Sequence, residues 1–275
     1  MNLKKLSLKL GRGILTLIIF MVFFIPFYWM ILTSIKTLGE TLTFPPSFFV
    51  KNINFENFTK ALSTGPFLTY TKNSLIVTFT TLALQFLTII PAAYAFARYK
   101  FKGKNLSFGL IMATMMVPAQ LVFLPIFIMF SKWRMVNSYF SLIIPFASSA
   151  FGIFMLRQSF MQVPQELLEA ARLDNANEFK IMGKIMLPMA KPTLITLGLL
   201  TFIGTWNDYF WPLVLTTKDV MRTLPVGVAG IASVDGGISY NILMAGNMLL
   251  IVPVLIIFFI AQKHIIKAFT YIGDK

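Results

Sequence analysis

Six apolar runs, at about residues 13–35, 74–97, 106–131, 135–156, 192–217 and 238–262, hold one formally charged side chain between them, Asp208. Each is long enough to cross a hydrocarbon core of roughly 30 Å. Segments this long and this uncharged leave apolar surface that must face something other than water. The runs are continuous rather than alternating, which disfavours a β-barrel. The sequence therefore predicts an all-α membrane protein with six transmembrane helices. One membrane domain spans 13–262, between an N-terminal segment at 1–12 and a tail at 263–275. A soluble enzyme is excluded by the same runs.

The formal charge is +14. Its placement argues against nucleic acid as a partner. Lys and Arg lie at the ends of the apolar runs, where they can snorkel and meet anionic lipid headgroups. Their density also sets orientation. Lys4, Lys5, Lys9 and Arg12 precede the first run, and "RYKFKGKN" at 98–105 follows the second. Arg157, Arg172, Lys180, Lys184 and Lys191 follow the fourth, and Lys263, Lys267 and Lys275 the sixth. The alternate loops are sparser: Lys36, Lys51, Lys60 and Lys72 are spread over 36–73, then Lys132 with Arg134, then Lys218 with Arg222. Both termini, the 98–105 turn and the 157–191 segment are predicted to be cytoplasmic.

Several chemistries lack their residues. The chain has no Cys, so neither disulfides nor thiolate metal sites can form. The one histidine, His264, reads as an interfacial residue near a span end. No catalytic or metal-ligating set emerges, and no G-x-x-x-x-G-K-[ST] phosphate cradle occurs. The basic N-terminus is followed by an apolar stretch that continues past Trp29 with no small-residue cleavage site, so a retained first span is expected. Asn2 and the lack of Cys exclude the usual lipidation signals. Pro26, Pro91, Pro118, Pro125, Pro145, Pro212 and Pro253 fall inside runs. Neighbouring helices in a bundle can satisfy the carbonyls they free. The run containing "MVPAQLVFLP" is expected to be irregular.

One long polar stretch interrupts this pattern. "ELLEAARLDNANEFKIMGKIMLP", at 166–188, holds four of the ten carboxylates, Glu166, Glu169, Asp174 and Glu178. Pro164 suits a first helical turn, and Glu166 and Glu169 then lie near the positive end of a helix dipole. Leu167, Ala170 and Ala171 are expected to form its apolar stripe. "DNAN" signals a turn, and "EFKIMGKIM" resumes a helix that Leu187 and Pro188 should end. The product is two short helices on the cytoplasmic face. They could be an interfacial anchor or a lug for a soluble partner. Exposed carboxylates favour the lug, because an anchor on anionic lipid prefers Lys and Arg.

The same stretch resembles the EAA motif of permease subunits of ATP-binding-cassette importers. Glu169, Ala170 and Ala171 match its EAA, Asp174 and Ala176 its turn, and Ile185, Leu187 and Pro188 its end. Asn175 departs, since the family has Gly there; Asn is the next-best residue for positive φ. "KNSLIVT" at 72–78, "AAYAFAR" at 92–98, "MVPAQLVFLPIF" at 116–127, "RQSFMQVPQEL" at 157–167, "TWNDYFWPLVL" at 205–215 and "TLPVGV" at 223–228 resemble the sugar-importer branch, in particular the smaller, maltose-type inner permease. The tail "KAFTYIGDK" departs from the more usual Gly-rich ending.

The resemblance implies a type I importer permease fold in a bacterial plasma membrane, with a cytoplasmic coupling helix. It implies a second homologous permease, a cytoplasmic ATPase dimer that docks on the EAA helices and binds ATP and Mg, and an external solute-binding protein. No cofactor is expected in this chain itself. Cargo would be a sugar or oligosaccharide, and the alternatives are glycerol phosphate, a polyamine or another small solute. An ion-coupled carrier would need buried titratable groups at mid-membrane, and only Asp208 is available.

Trp206, Asn207 and Asp208 cluster with Tyr209 and Trp211 in the fifth run. Two readings stay open. The rings could stack on sugar faces while Asn207 or Asp208 contacts cargo. Alternatively they serve packing and the interfacial aromatic belt, with Asp208 capping a break near Pro212. Gln120 and Asn247 are further polar candidates inside spans. The segment "LPVGVAGIASVDGG", at 224–237, reads as a flexible outer connection. By resemblance it could reach into the binding protein through Leu224, Pro225, Gly227, Gly236 and Gly237.

Overall fold

The computed structural model describes residues 3–233 and 239–270. Among these, every regular element is helical. Three helices are by themselves long and apolar enough to cross a membrane: Gly11–Ile35, Phe67–Arg98 and Tyr240–Ile260. Three bent pairs qualify only together. Lys104–Thr114 with Ala119–Lys132 bends by 90°, Tyr139–Phe146 with Ala150–Met161 by 42°, and Glu178–Met189 with Lys191–Trp206 by 80°. Counting each pair as one span gives six.

The boundaries differ from the hydropathy reading in instructive ways. The second helix starts at Phe67, two turns before the apolar run, because helical backbone continues beyond the lipid-suited composition. The third run breaks at Pro118, which sits in extended backbone ahead of a single tight turn at Ala119–Val122. Proline disfavours helical φ and ψ in the residue before it and has no N–H to donate, so the irregularity expected there becomes a sharp corner. The fifth run is not one helix. Lys191–Trp206 stops, and Phe210–Leu215 begins after three residues.

The chain packs as two compact units. One comprises residues up to Phe67 with Gly227–Val252. In it, the last carbonyls of the Leu3–Ile35 helix need partners, as at any helix C-terminus. The Asn54 N–H donates to the Ile35 carbonyl at 2.8 Å. Fully buried Asn57 donates to the Ser34 and Lys36 carbonyls at 2.9 and 2.7 Å, and its Oδ1 accepts from Asn241 at 2.8 Å. The loop after the first span is thus a bonded structure carrying its own short helices, Leu38–Thr41 and Glu56–Ser63.

The other unit comprises Leu68–Val226 and the chain from Pro253 onward. Its core includes Ile89, Leu156, Phe160, Leu168, Ile181 and Met186, each 1% exposed or less. Gly152 lets two helices approach: a Cβ there would lie 3.1 Å from Ile89 Cδ1. Small residues permit such contacts where no hydrophobic effect drives helices together. The bend between Tyr139–Phe146 and Ala150–Met161 frees backbone carbonyls. Gln85 Nε2 donates to the Phe146 carbonyl at 2.9 Å and Thr88 Oγ1 to that of Ala147 at 2.8 Å. Thr201 then donates to Gln85 Oε1 at 2.9 Å. Each such bond within a membrane contributes about 0.6–1.7 kcal/mol.

Residues 223–228 are buried, and Leu224–Gly230 is helical. That part of the predicted flexible connection is a packed element. Asn73 fixes the chain leading into it: its amide donates to the Val220 and Arg222 carbonyls, both at 2.9 Å, while its Oδ1 accepts from Tyr139 at 2.6 Å. The Leu224 N–H donates to Ser74 Oγ at 2.8 Å. Gly236 and Gly237 lie outside the described residues.

Candidate coupling segment and translocation path

The polar stretch folds as a helix, a turn and a second helix. Gln165–Leu173 forms from good helix formers and buries Leu168 completely. The apolar stripe is therefore set by Leu168 with Ala171 beneath it, while Leu167 is 44% exposed and Ala170 is exposed. The expected stripe was rotated by one residue. Adjacent leucines lie 100° apart on a helix, and only the core of Phe160, Ile181 and Met186 decides between them.

The turn has a specific closure. Asn175 sits at φ 55°. The Ala176 N–H donates to the Ala171 carbonyl and the Asn175 N–H to that of Arg172, each at 3.0 Å. This is a Schellman termination with Asn in the left-handed position. Asn177 then caps the next helix, its Oδ1 accepting from the Lys180 N–H at 2.8 Å. Asn175→Gly is expected to be tolerated, whereas Asn175→Val should destabilise the turn by about 1–2 kcal/mol. Limited proteolysis at the 173–177 turn will read the difference.

Pro188 does not end the second helix. Helical backbone runs from Glu178 to Met189, and the 80° bend follows at Ala190. Proline clashes with the carbonyl four residues earlier and cannot donate to it. Here the chain widens just before it into a π-type turn at Met182–Met186, whose closing bond runs from the Leu187 N–H to the Met182 carbonyl. Ile185 and Leu187 pack against the core, and Pro188 is exposed.

Five side chains outside the predicted site set tie or flank this segment. Tyr94 and Arg98 occupy one face near the end of the Phe67–Arg98 helix, and the Tyr94 hydroxyl donates to Glu178 Oε2. Arg98 Nη2 donates to the Phe160 and Val163 carbonyls, and its Nη1 to Gln165 Oε1 at 3.2 Å. Arg172 Nε pairs with Glu178 Oε1 at 3.1 Å. Leu173 and Phe179 point the other way, 84% and 81% exposed. The i, i+4 spacing of Tyr94 and Arg98 was the available signal for the first pair.

Glu166, Glu169 and Asp174 are exposed, but Glu178 is an internal tie. Hydrogen bonds from Tyr94 and then Arg172 hold its carboxyl below the ordinary glutamate value. A depressed folded-state pKa adds stability above the unfolded value and loses it as pH falls through the folded one. Amide protection over 172–181, taken relative to intrinsic exchange at each pH, should therefore hold from neutral pH down to the usual glutamate range and fall only below it. Glu178→Gln should show the lowered protection already at neutral pH.

The break after Lys191–Trp206 gathers three predicted path residues. Trp206 is 1% exposed and stacks on Phe202, ring centroids 5.7 Å apart. Asn207 is exposed, and its amide donates to the Ile203 carbonyl at 2.9 Å. Asp208 Oδ1 accepts from the Trp211 N–H at 3.3 Å, in the first turn of Phe210–Leu215. Gln120 is exposed in the corner at Ala119–Val122. The two breaks adjoin, since Phe123 meets Phe210 edge-on at 5.8 Å. Asn247 is half-buried in Tyr240–Thr270, in the other unit.

Comparison with known proteins agrees with this architecture. Residues 88–271 match the family described as binding-protein-dependent transport system inner membrane component. The chain is 35% identical over 243 residues to the arabinooligosaccharides transport system permease protein AraQ of Halalkalibacterium halodurans, covering 88% of this chain and 86% of that one. It is 33% identical over 207 residues to the sn-glycerol-3-phosphate transport system permease protein UgpE of Salmonella typhi, covering 75% and 74%. Its fold matches a chain of the crystal structure of a bacterial ABC transporter involved in the import of the acidic polysaccharide alginate. The TM-score is 0.81 at 25% identity, over 96% of this chain and 98% of that one. With six candidate spans and an EAA-type segment closed by its own turn, this chain belongs to the family of binding-protein-dependent transport system inner membrane components and has the fold of an ABC importer permease.

Proposed function

We propose that the chain is one permease of an ATP-driven importer that takes a sugar or oligosaccharide from a solute-binding protein. The observation that carries this is the 165–181 segment, which is tied inward through Tyr94, Arg98 and Leu168 and presents Glu169, Leu173 and Phe179 outward. A segment with a rigid back and a mixed acidic and apolar front is suited to receive a separate ATPase. A second permease completes the path. The charge pattern supports a cytoplasmic location for this segment and for both termini.

Sugar cargo is supported by a relative named for arabinooligosaccharides and by a structural neighbour that imports alginate. A relative named for glycerol phosphate keeps a second reading open. Phosphate recognition calls for Arg or Lys, and none of the six apolar runs carries either.

The test is uptake into proteoliposomes holding both permeases and the ATPase, with the binding protein outside. Labelled arabinooligosaccharide should accumulate only with ATP. Accumulation without nucleotide, or of sn-glycerol-3-phosphate in place of every sugar tried, overturns the reading. Because the chain has no Cys, Glu169→Cys gives a clean labelling site. It should react with an impermeant maleimide only from the inner side.

A further inference from the structure

In the unit that contains the first span, a cavity of about 100 Å³ is lined by Trp29, Thr33, Lys36, Glu40, Tyr240 and Met244 among others. That is room for several water molecules. Lys36 is 2% exposed, a burial uncommon for lysine without a charged partner. Its ammonium donates to the Ser47 carbonyl and lies 5.0 Å from the centre of the Trp29 ring, a cation–π contact. Two of its three protons are left for the cavity. Glu40 is fixed from the other side: its Oε1 accepts from the Asn52 N–H at 2.9 Å. Its Oε2 is buried and, among the described residues, has no hydrogen-bond partner. Lys36 and Glu40 line the same space, yet no ion pair joins them among the described residues.

We propose that this cavity is a subsite for the hydroxyl edge of one ring of a sugar or polyol, gripped between Lys36 and Glu40. A hydroxyl both donates and accepts, so a single group, or two on adjacent carbons, can donate to Glu40 Oε2 while accepting from Lys36 Nζ. An anion meets repulsion from Glu40, and a simple cation from Lys36. Trp29 and Met244 supply the apolar wall that the ring's C–H faces need. The loop that holds Lys36 and Glu40 is the one the charge pattern assigns to the outer face, where a binding protein would release its cargo. In naming sugar as the ligand, the assignment rests on the transport reading above.

Saturation-transfer NMR on the assembled transporter in nanodiscs tests it, with L-arabinose, glycine and methyl phosphate as probes. L-arabinose ring protons should show transfer in the wild type. Glu40→Gln keeps the acceptor for Asn52 but replaces the free oxygen with a donor, and should weaken the apparent affinity about tenfold, as for a lost bond to a charged group. Lys36→Met should do the same. Because Lys36→Met also removes the bond to Ser47 that holds the loop, Glu40→Gln is the deciding variant. Equal transfer in wild type and Glu40→Gln overturns the subsite, even if the complex imports sugar. Transfer to glycine or methyl phosphate in place of arabinose overturns the ligand class. Transfer lost in Glu40→Gln, in a complex that imports no sugar, supports the cavity and removes only the cargo reading.

Discussion

Phe179→Asp is expected to strip the ATPase from the purified complex and to abolish ATP-driven uptake. Phe179 is 81% exposed beside a turn whose other rim is Leu173, 84% exposed. Large apolar side chains so bare at the edge of an otherwise polar segment mark an interaction surface. An aromatic anchor at such a surface typically contributes about 2 kcal/mol or more, which is roughly a thirtyfold change in affinity. Asp adds to that loss the cost of burying a charge. The side chain makes no inward tie, so the amount of chain in the membrane should not change. Copurification of the ATPase at wild-type ratio, with wild-type uptake, would falsify the docking assignment. Glu169→Lys on the same surface is the companion variant, and it too should leave membrane levels intact.

Gly152→Leu is expected to be the most destabilising single change in the Leu68–Val226 unit. A Cβ at this position would already meet Ile89 Cδ1 at 3.1 Å, Ser149 Cβ at 3.3 Å and Ile89 Cγ2 at 3.4 Å. Ile89 is 1% exposed and has nowhere to retreat. A full leucine must separate the Phe67–Arg98 and Ala150–Met161 helices, with an overpacking cost of about 3 kcal/mol. Thermal loss of monodisperse protein in detergent should occur at clearly lower temperature than for the wild type. Ile89→Ala, destabilising by itself, should partly rescue Gly152→Leu, because the two side chains compete for one space. Additive losses would show that the contact is not the cause.

The fold was legible where its cause is local. Apolar runs announce spans because lipid imposes its demand residue by residue. The departure at Asn175 was legible too, since the left-handed region is a property of one residue and its neighbours. The remainder depended on distant partners. Leu167 and Leu168 are equivalent in sequence, and only the core chooses between them. The Gly- and Pro-bearing stretch from 223 reads as a loose connection because Asn73 and Ser74, nearly a hundred and fifty positions earlier, are what bond Val220, Arg222 and Leu224 at its start. Pro188 looked like a stop because the wider turn that accommodates it leaves no residue signature of its own. Of the predicted path residues, the three at the 206–208 break adjoin the corner that bears Gln120, while Asn247 belongs to the other unit.

The attachment of the 165–181 segment to Tyr94 and Arg98 has a mechanical consequence. A single joint would let the segment swivel and dissipate any push it received. Two joints one helical turn apart, one on Glu178 and one on Gln165 and the adjoining Phe160 and Val163 carbonyls, resist swivelling. Force applied at Phe179 is therefore expected to reach the second membrane crossing as torque about its long axis, and rotation of that crossing becomes the motion to look for.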